Sequence, residues 1–135
     1  MMVPALPLLT VLFGVTAGLI HVYIFVLESL RWRHRAVWSR FGVRSAGDAE
    51  TLRPMAFNQG FYNLFLAIGA LLGVVLAVTG DGSVRAVGYG MLLLALASML
   101  LAALVLILSN HRLAVAAAIQ GGAPAVALAS LLLPG

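Results

Sequence analysis

A single polar stretch, Arg31 to Met55, interrupts a chain otherwise made of apolar runs of about 20 residues or more, joined by turns of a few residues. That arrangement decides the solvent. With 63% hydrophobic and 9% charged residues, and a mean hydropathy of +1.11, there are too few polar side chains to cover a water-facing surface. The roughly 110 residues outside the polar stretch supply four or five bilayer crossings at about 20 residues each, and leave none for a separate soluble domain.

The first run, from about Pro4 to Leu30, carries no charge before Glu28. It exceeds the roughly 7 to 15 residues of a signal-peptide core and lacks a basic leader, so it reads as a permanent anchor. The second span runs from Ala56 to Thr79, with Pro54 near its start, where a first helical turn accepts proline. The turn Gly80-Asp81-Gly82-Ser83 then demands an antiparallel hairpin into a third span, Val84 to Leu108. Ser109-Asn110-His111-Arg112 leads to a fourth, Leu113 to Leu133, where Gly121, Gly122 and Pro124 predict a bend. The remaining sequence cannot supply a fifth. The expected fold is all-α, an antiparallel four-transmembrane-helix bundle forming one membrane domain over residues 1–135, with a basic loop at 31–55 that is rich in turn residues between Phe41 and Glu50.

Charge then predicts orientation. All eight basic residues are arginines. Arg31, Arg33, Arg35, Arg40, Arg44 and Arg53 occupy the first loop, Arg112 falls on the same side, and Arg85 stands alone on the other. The positive-inside rule places that loop in the cytoplasm and both termini outside. The net charge of +4 therefore expresses topology and contact with the lipid bilayer, with no nucleic-acid partner expected. An arginine-only basic set among abundant Ala, Val, Leu and Gly points to a genome of high GC content, hence to a bacterial inner membrane. The absence of cysteine excludes disulfides, thiolate catalysis and cysteine metal sites. His21, His34 and His111 lack the i, i+4 pairing of a helical metal site, so no metal or other cofactor is expected. Phosphate-cradling glycine loops, hydrolase triads and dinucleotide fingerprints are also missing; Gly88-Tyr89-Gly90 lies inside an apolar span.

Polar groups within hydrocarbon are costly, about 2.5 to 3.5 kcal/mol for a central charge on insertion scales, so the few present are site candidates. Gly14, Gly18, His21, Phe25, Glu28 and Trp32 recur at steps of four and three along one stripe of the first helix. Asn58, Gln59, Tyr62 and Asn63 open the second helix, and Gly69 and Gly73 continue the face of Tyr62. An antiparallel alignment sets Glu28 level with Asn58 and Gln59, His21 between Tyr62 and Gly69, and Gly14 and Gly18 against Gly69 and Gly73 in close small-residue packing. Gln120, about 12 Å deep from Arg112, lies near the depth of His21. The third span offers Ser98 alone and reads as a packing helix. The candidate ligand-binding set is His21, Glu28, Asn58, Gln59, Tyr62, Asn63 and Gln120.

Each of these has a structural alternative. Interhelical amide bonds serve as glue worth on the order of 1 kcal/mol. Glu28 has Arg31 and Arg35 within a turn or two as ion-pair partners, and Trp32 and Tyr62 lie where an aromatic belt is expected. Three functional readings stay open. One is a protein that binds or helps to transport a small polar or amphipathic molecule, as a homo-oligomer if it forms a full path. A second is a membrane enzyme acting on a lipophilic substrate, with Tyr62, His21 or Glu28 in proton transfer. The third is an accessory subunit whose arginine loop is the contact surface.

Three segments taken together, His21-Val-Tyr23-Ile-Phe25-Val-Leu-Glu28 ending in Trp32, Asn58-Gln59-Gly60-Phe61-Tyr62-Asn63-Leu-Phe65-Leu-Ala-Ile-Gly69, and Gln120-Gly121-Gly122-Ala-Pro124-Ala, resemble domain-of-unknown-function family 1304. These are small four-helix membrane proteins, and the resemblance implies that topology and a shared polar cluster, without implying an activity. A fainter similarity, of architecture alone, is to the membrane-associated eicosanoid and glutathione metabolism proteins, whose acid, arginine and asparagine pattern Glu50, Arg53 and Asn58 loosely match.

Overall fold

A computed structural model describes residues 3–132. Four helices are long and apolar enough to cross a membrane, and the protein is a multi-pass integral membrane protein. α1 spans Leu8–Phe25 and continues through a wider π turn, Val26–Leu30. A single turn, α2, Arg35–Trp38, lies in the first loop. α3 covers Ala46–Thr79, α4 Gly82–Ser109 and α5 Ala114–Ser130. Among the described residues there is no strand. Leu133, the expected last residue of the fourth span, lies outside the described residues.

α1 and α4 each pack against both α3 and α5 but scarcely touch one another, so the helices stand as a square with α1 and α4 on one diagonal. The core is built mainly of small and medium side chains: Ala17, Ala70, Val74, Leu92, Ala95, Leu96, Met99, Ala123 and Ala127. Lipid is as apolar as leucine, so burial gives little drive to helix association; small residues act by letting backbones approach and gain dispersion contacts. Large side chains such as Leu94, Leu101, Leu108 and Val115 point outward, where a bilayer solvates them.

The glycines do not pair across α1 and α3 as expected. Gly73 lies against the backbone of Gly88 and Leu92, so its close approach serves the α3–α4 hairpin. Gly14 and Gly18 instead receive the side chains of Val74 and Leu71 from α3. The two-residue link Gly80-Asp81 holds α3 and α4 together, and α1 takes the side-chain ridge that remains. Gly121 meets Ala103 of α4, and α5 runs as one helix through Gly122 and Pro124.

The second membrane helix starts ten residues before the expected Ala56. Ser45 Oγ accepts from the Asp48 N–H at 3.0 Å and donates to the Asp48 carboxylate at 2.6 Å, a capping arrangement that outweighs the helix cost of Gly47. Pro54 therefore sits inside a helix and has no N–H for the Glu50 carbonyl; it is exposed. At about 1.5 Å per residue α3 is about 51 Å long, well beyond a hydrocarbon core of about 30 Å. Its first turns give the arginine-rich loop a wall to fold on. Trp32, Val37, Trp38, Ala49 and Ala56 form a second small core there. The Trp32 indole donates to the Ala49 carbonyl at 2.8 Å and its ring centre lies 5.4 Å from that of Phe41. Trp32 is thus buried in the loop's core and not a member of an aromatic belt.

Candidate functional site

The site begins at the π turn. There the Arg31 N–H reaches back five residues to the Val26 carbonyl, at 2.9 Å. The Ser29 hydroxyl donates to the Phe57 carbonyl of α3 at 2.8 Å, drawing the turn against that helix. Gly60 makes room for it: a Cβ at Gly60 would collide with Ser29 Oγ and lie 3.0 Å from the Ser29 backbone nitrogen. π turns inside α-helices are frequent at functional sites because they re-aim a side chain. Here the side chain is Glu28. It meets Asn63, one turn beyond the expected level of Asn58 and Gln59, and the Asn63 amide donates to Glu28 Oε2 at 2.9 Å and to the Gln59 carbonyl at 3.1 Å.

Around this pair the bundle opens into a cavity of about 580 Å³ at its loop end. Glu28, Gln59, Asn63 and Gln120 supply polar groups from α1, α3 and α5. Ile20 and Ile24 on α1, Val105 and Leu106 on α4, and Ala116 and Ile119 on α5 make the apolar walls. α4 therefore forms a side of the cavity, ending at Ser109, although its sequence reads as that of a packing helix. Arg40 and Phe41, from the loop, also line it. They reach it because Gly42, at φ 80°, ends the short 3₁₀ turn Ser39–Phe41 in the left-handed region that glycine favours. The Arg40 guanidinium donates to the Tyr23 hydroxyl at 2.9 Å, and Tyr23 also lines the cavity.

Four of the seven sequence-derived candidates thus converge: Glu28, Gln59, Asn63 and Gln120. The other three do not line the cavity. His21 is buried, and its Nδ1 donates to the Ala17 carbonyl one turn back at 2.9 Å, since a carbonyl can only accept. Asn58 and Tyr62 are exposed on the neighbouring stripe of α3, about 100° round from Gln59 and Asn63, because residues one apart in a helix diverge by that angle. A spacing of four pairs Gln59 with Asn63 and equally Asn58 with Tyr62, so spacing alone defines two stripes without telling which one faces the cavity. Arg40 and Tyr23 were missed, since nothing local indicates that the loop folds back over α1.

Glu28 accepts from no arginine: among the described residues the one ion pair is Arg53–Glu50, at 3.0 Å and exposed. Glu28 also lines a second recess of about 440 Å³, with Ser29, Arg33, Arg53 and Phe57, on the loop side of the π turn. No hydrogen bond among the described residues engages the side-chain amides of Gln59 or Gln120. Pro124, which has no N–H, cannot bond the Gln120 carbonyl four residues back. No group of three His, Cys, Asp or Glu side chains that could hold a metal ion occurs among the described residues. The arrangement offers a carboxyl, a guanidinium and two spare amides above an apolar chamber.

A family model described as a protein of unknown function (DUF1304) matches residues 15–132. No curated protein and no solved structure matches the chain.

Proposed function

Because the chain belongs to the DUF1304 family, whose description carries no activity, we propose from geometry that it binds a small polar or amphipathic molecule in the loop-end cavity and assists its movement to or from the membrane. The observation that carries this reading is the convergence of Glu28, Gln59, Asn63 and Gln120, from three helices, on one chamber of about 580 Å³. Purely structural polar networks in membranes close on themselves, because an unpaired group in hydrocarbon is costly. Here the Glu28–Asn63 bond is closed, while the amides of Gln59 and Gln120 remain available beside it. A chamber with a few convergent polar groups on apolar walls, of the volume usual for small-molecule sites, is what ligand binding requires. Transport through a complete path would need a homo-oligomer, since four helices seldom make a full path alone.

The same reading puts the arginine-rich end in the cytoplasm, in a bacterial inner membrane, with both termini outside. A reporter active only outside the membrane should work when fused after Gly135 and fail when inserted in the first loop; the reverse pattern overturns the orientation. The binding site is tested by native mass spectrometry of protein released gently from its own membranes, wild type against Glu28→Gln. A discrete non-lipid or single lipid mass present on the wild type and lost from an equally well-folded variant supports the reading. Bare protein or random phospholipid on both overturns it in favour of a structural network.

A further inference from the structure

The cavity carries two opposite charges that are not paired with each other. Glu28 is held by the neutral amide of Asn63, and Arg40 donates to the neutral hydroxyl of Tyr23. Each keeps unused capacity. Glu28 Oε1 has no hydrogen-bond partner among the described residues, and Tyr23, which accepts from Arg40, retains its own hydroxyl hydrogen for donation. Glu28 is half-buried, where a charge without a counter-charge is expensive and the expense falls when a ligand supplies one, whereas Arg40 is exposed at the cavity mouth and offers its remaining N–H groups there without such a cost. The two groups also come from separate elements, Glu28 from the π turn of α1 and Arg40 from the loop that roofs the chamber. On the α4 and α5 side the lining is mainly apolar, Val105, Leu106, Ala116 and Ile119, with Ser109 and Gln120 as its polar members.

We infer that the ligand is amphoteric: a molecule carrying an ammonium that meets Glu28, an acidic phosphate or carboxylate that meets Arg40 and the Tyr23 hydroxyl, and an apolar part that lies along α4 and α5. This rests on the proposed binding role of the cavity and names the chemical class that the cavity selects. A purely anionic ligand would satisfy Arg40 but set its charge beside the Glu28 carboxylate. A purely cationic ligand would do the converse at Arg40. An ammonium and an acid in one molecule neutralise both at once, with charge-assisted hydrogen bonds at each end. The chemistry is shared by a phosphoethanolamine lipid headgroup and by a free amphoteric metabolite.

Three probes with matched twelve-carbon chains separate the contributions: a lyso-phosphoethanolamine lipid (both charges), a lyso-phosphoglycerol lipid (phosphate alone) and dodecylamine (amine alone). Each is titrated onto the full-length protein in a maltoside detergent and read by native mass spectrometry. The wild type should bind the phosphoethanolamine probe at least tenfold more tightly than either of the others. Glu28→Gln should lower its affinity to that of the phosphoglycerol probe without weakening the latter. Arg40→Gln should weaken both phosphate probes and spare dodecylamine, with Arg40→Lys restoring much of the loss. Competition by chain-free phosphoethanolamine would assign a soluble amphoteric ligand, and its failure to compete a lipid; both outcomes uphold the class.

Equal wild-type affinity for the phosphoethanolamine and phosphoglycerol probes, or a preference unchanged by Glu28→Gln and Arg40→Gln, overturns the inference. If Glu28→Gln still strips a bound mass from protein taken from its own membranes, the cavity remains a binding site and only the amphoteric class is lost. If it strips nothing, both readings fall.

Discussion

Replacing Gly60 with alanine should loosen the turn that aims Glu28. The added Cβ would lie 3.0 Å from the Ser29 nitrogen and 3.1 Å from its Cβ, and closer still to its Oγ. Comfortable contacts begin near 3.5 Å, so the π turn must retreat by roughly 0.5 Å and the Ser29 hydroxyl must leave the Phe57 carbonyl. Overpacking of this kind costs about 1 to 3 kcal/mol, and a membrane hydrogen bond adds about 0.6 kcal/mol. The gain from glycine to alanine in a helix returns up to about 1 kcal/mol. With that gain in full, the net expectation is a loss of about 0.6 to 2.6 kcal/mol.

Gly122 is the internal control: a Cβ there meets nothing within 4 Å, so Gly122→Ala should be neutral or stabilising by up to about 1 kcal/mol. Ser29→Gly removes two of the three close contacts, and combined with Gly60→Ala it should recover about 1 kcal/mol or more of coupling in a double-mutant cycle. Reversible unfolding by SDS in mixed micelles measures all four variants. The reasoning fails if Gly60→Ala lies within about 0.5 kcal/mol of Gly122→Ala, or if the cycle is additive.

Two further expectations concern the ends of the bundle. Trp32→Phe keeps a ring against Phe41 but removes the donor to the Ala49 carbonyl, so the loop core should weaken by about 1 kcal/mol and proteolysis within residues 33–45 should quicken, while unchanged cleavage would show that the loop does not depend on this bond. Near the chain termini, Ser130 Oγ donates to the Ala127 carbonyl at 2.8 Å, which leaves Thr10 to donate to Ser130 at 2.6 Å between α1 and α5. Thr10→Val should lower the SDS unfolding free energy by about 0.6 to 1.7 kcal/mol, and a variant as stable as the wild type would show that the bond is not a clamp.

The all-α membrane fold was legible in the chain because hydropathy is a one-dimensional property. Four apolar runs, joined by one long basic loop and two short polar links, dictate four helices in antiparallel sequence, whatever their side chains do. Glu28 and the amides of the second helix stood out for the same reason, since polar groups are conspicuous against an apolar background. The helix start at Ser45 was also written locally, in its spacing of three to Asp48, but turn-forming glycines on either side masked it.

What only the tertiary structure decided is which polar groups meet. Helix rotation separates Gln59 and Asn63 from Asn58 and Tyr62 by an angle of about 100°, and that rotation is set by how Gly73 nests on Gly88 and Gly60 on Ser29. Neither contact leaves a mark in composition, because a glycine's value lies in the backbone it admits. Arg40 comes to the cavity only because Trp32, Trp38 and Phe41 pack on the extramembrane turns of α3 and Gly42 reverses the chain beyond them. Local sequence specifies where polar side chains begin; the packing of small residues in three dimensions determines where they end.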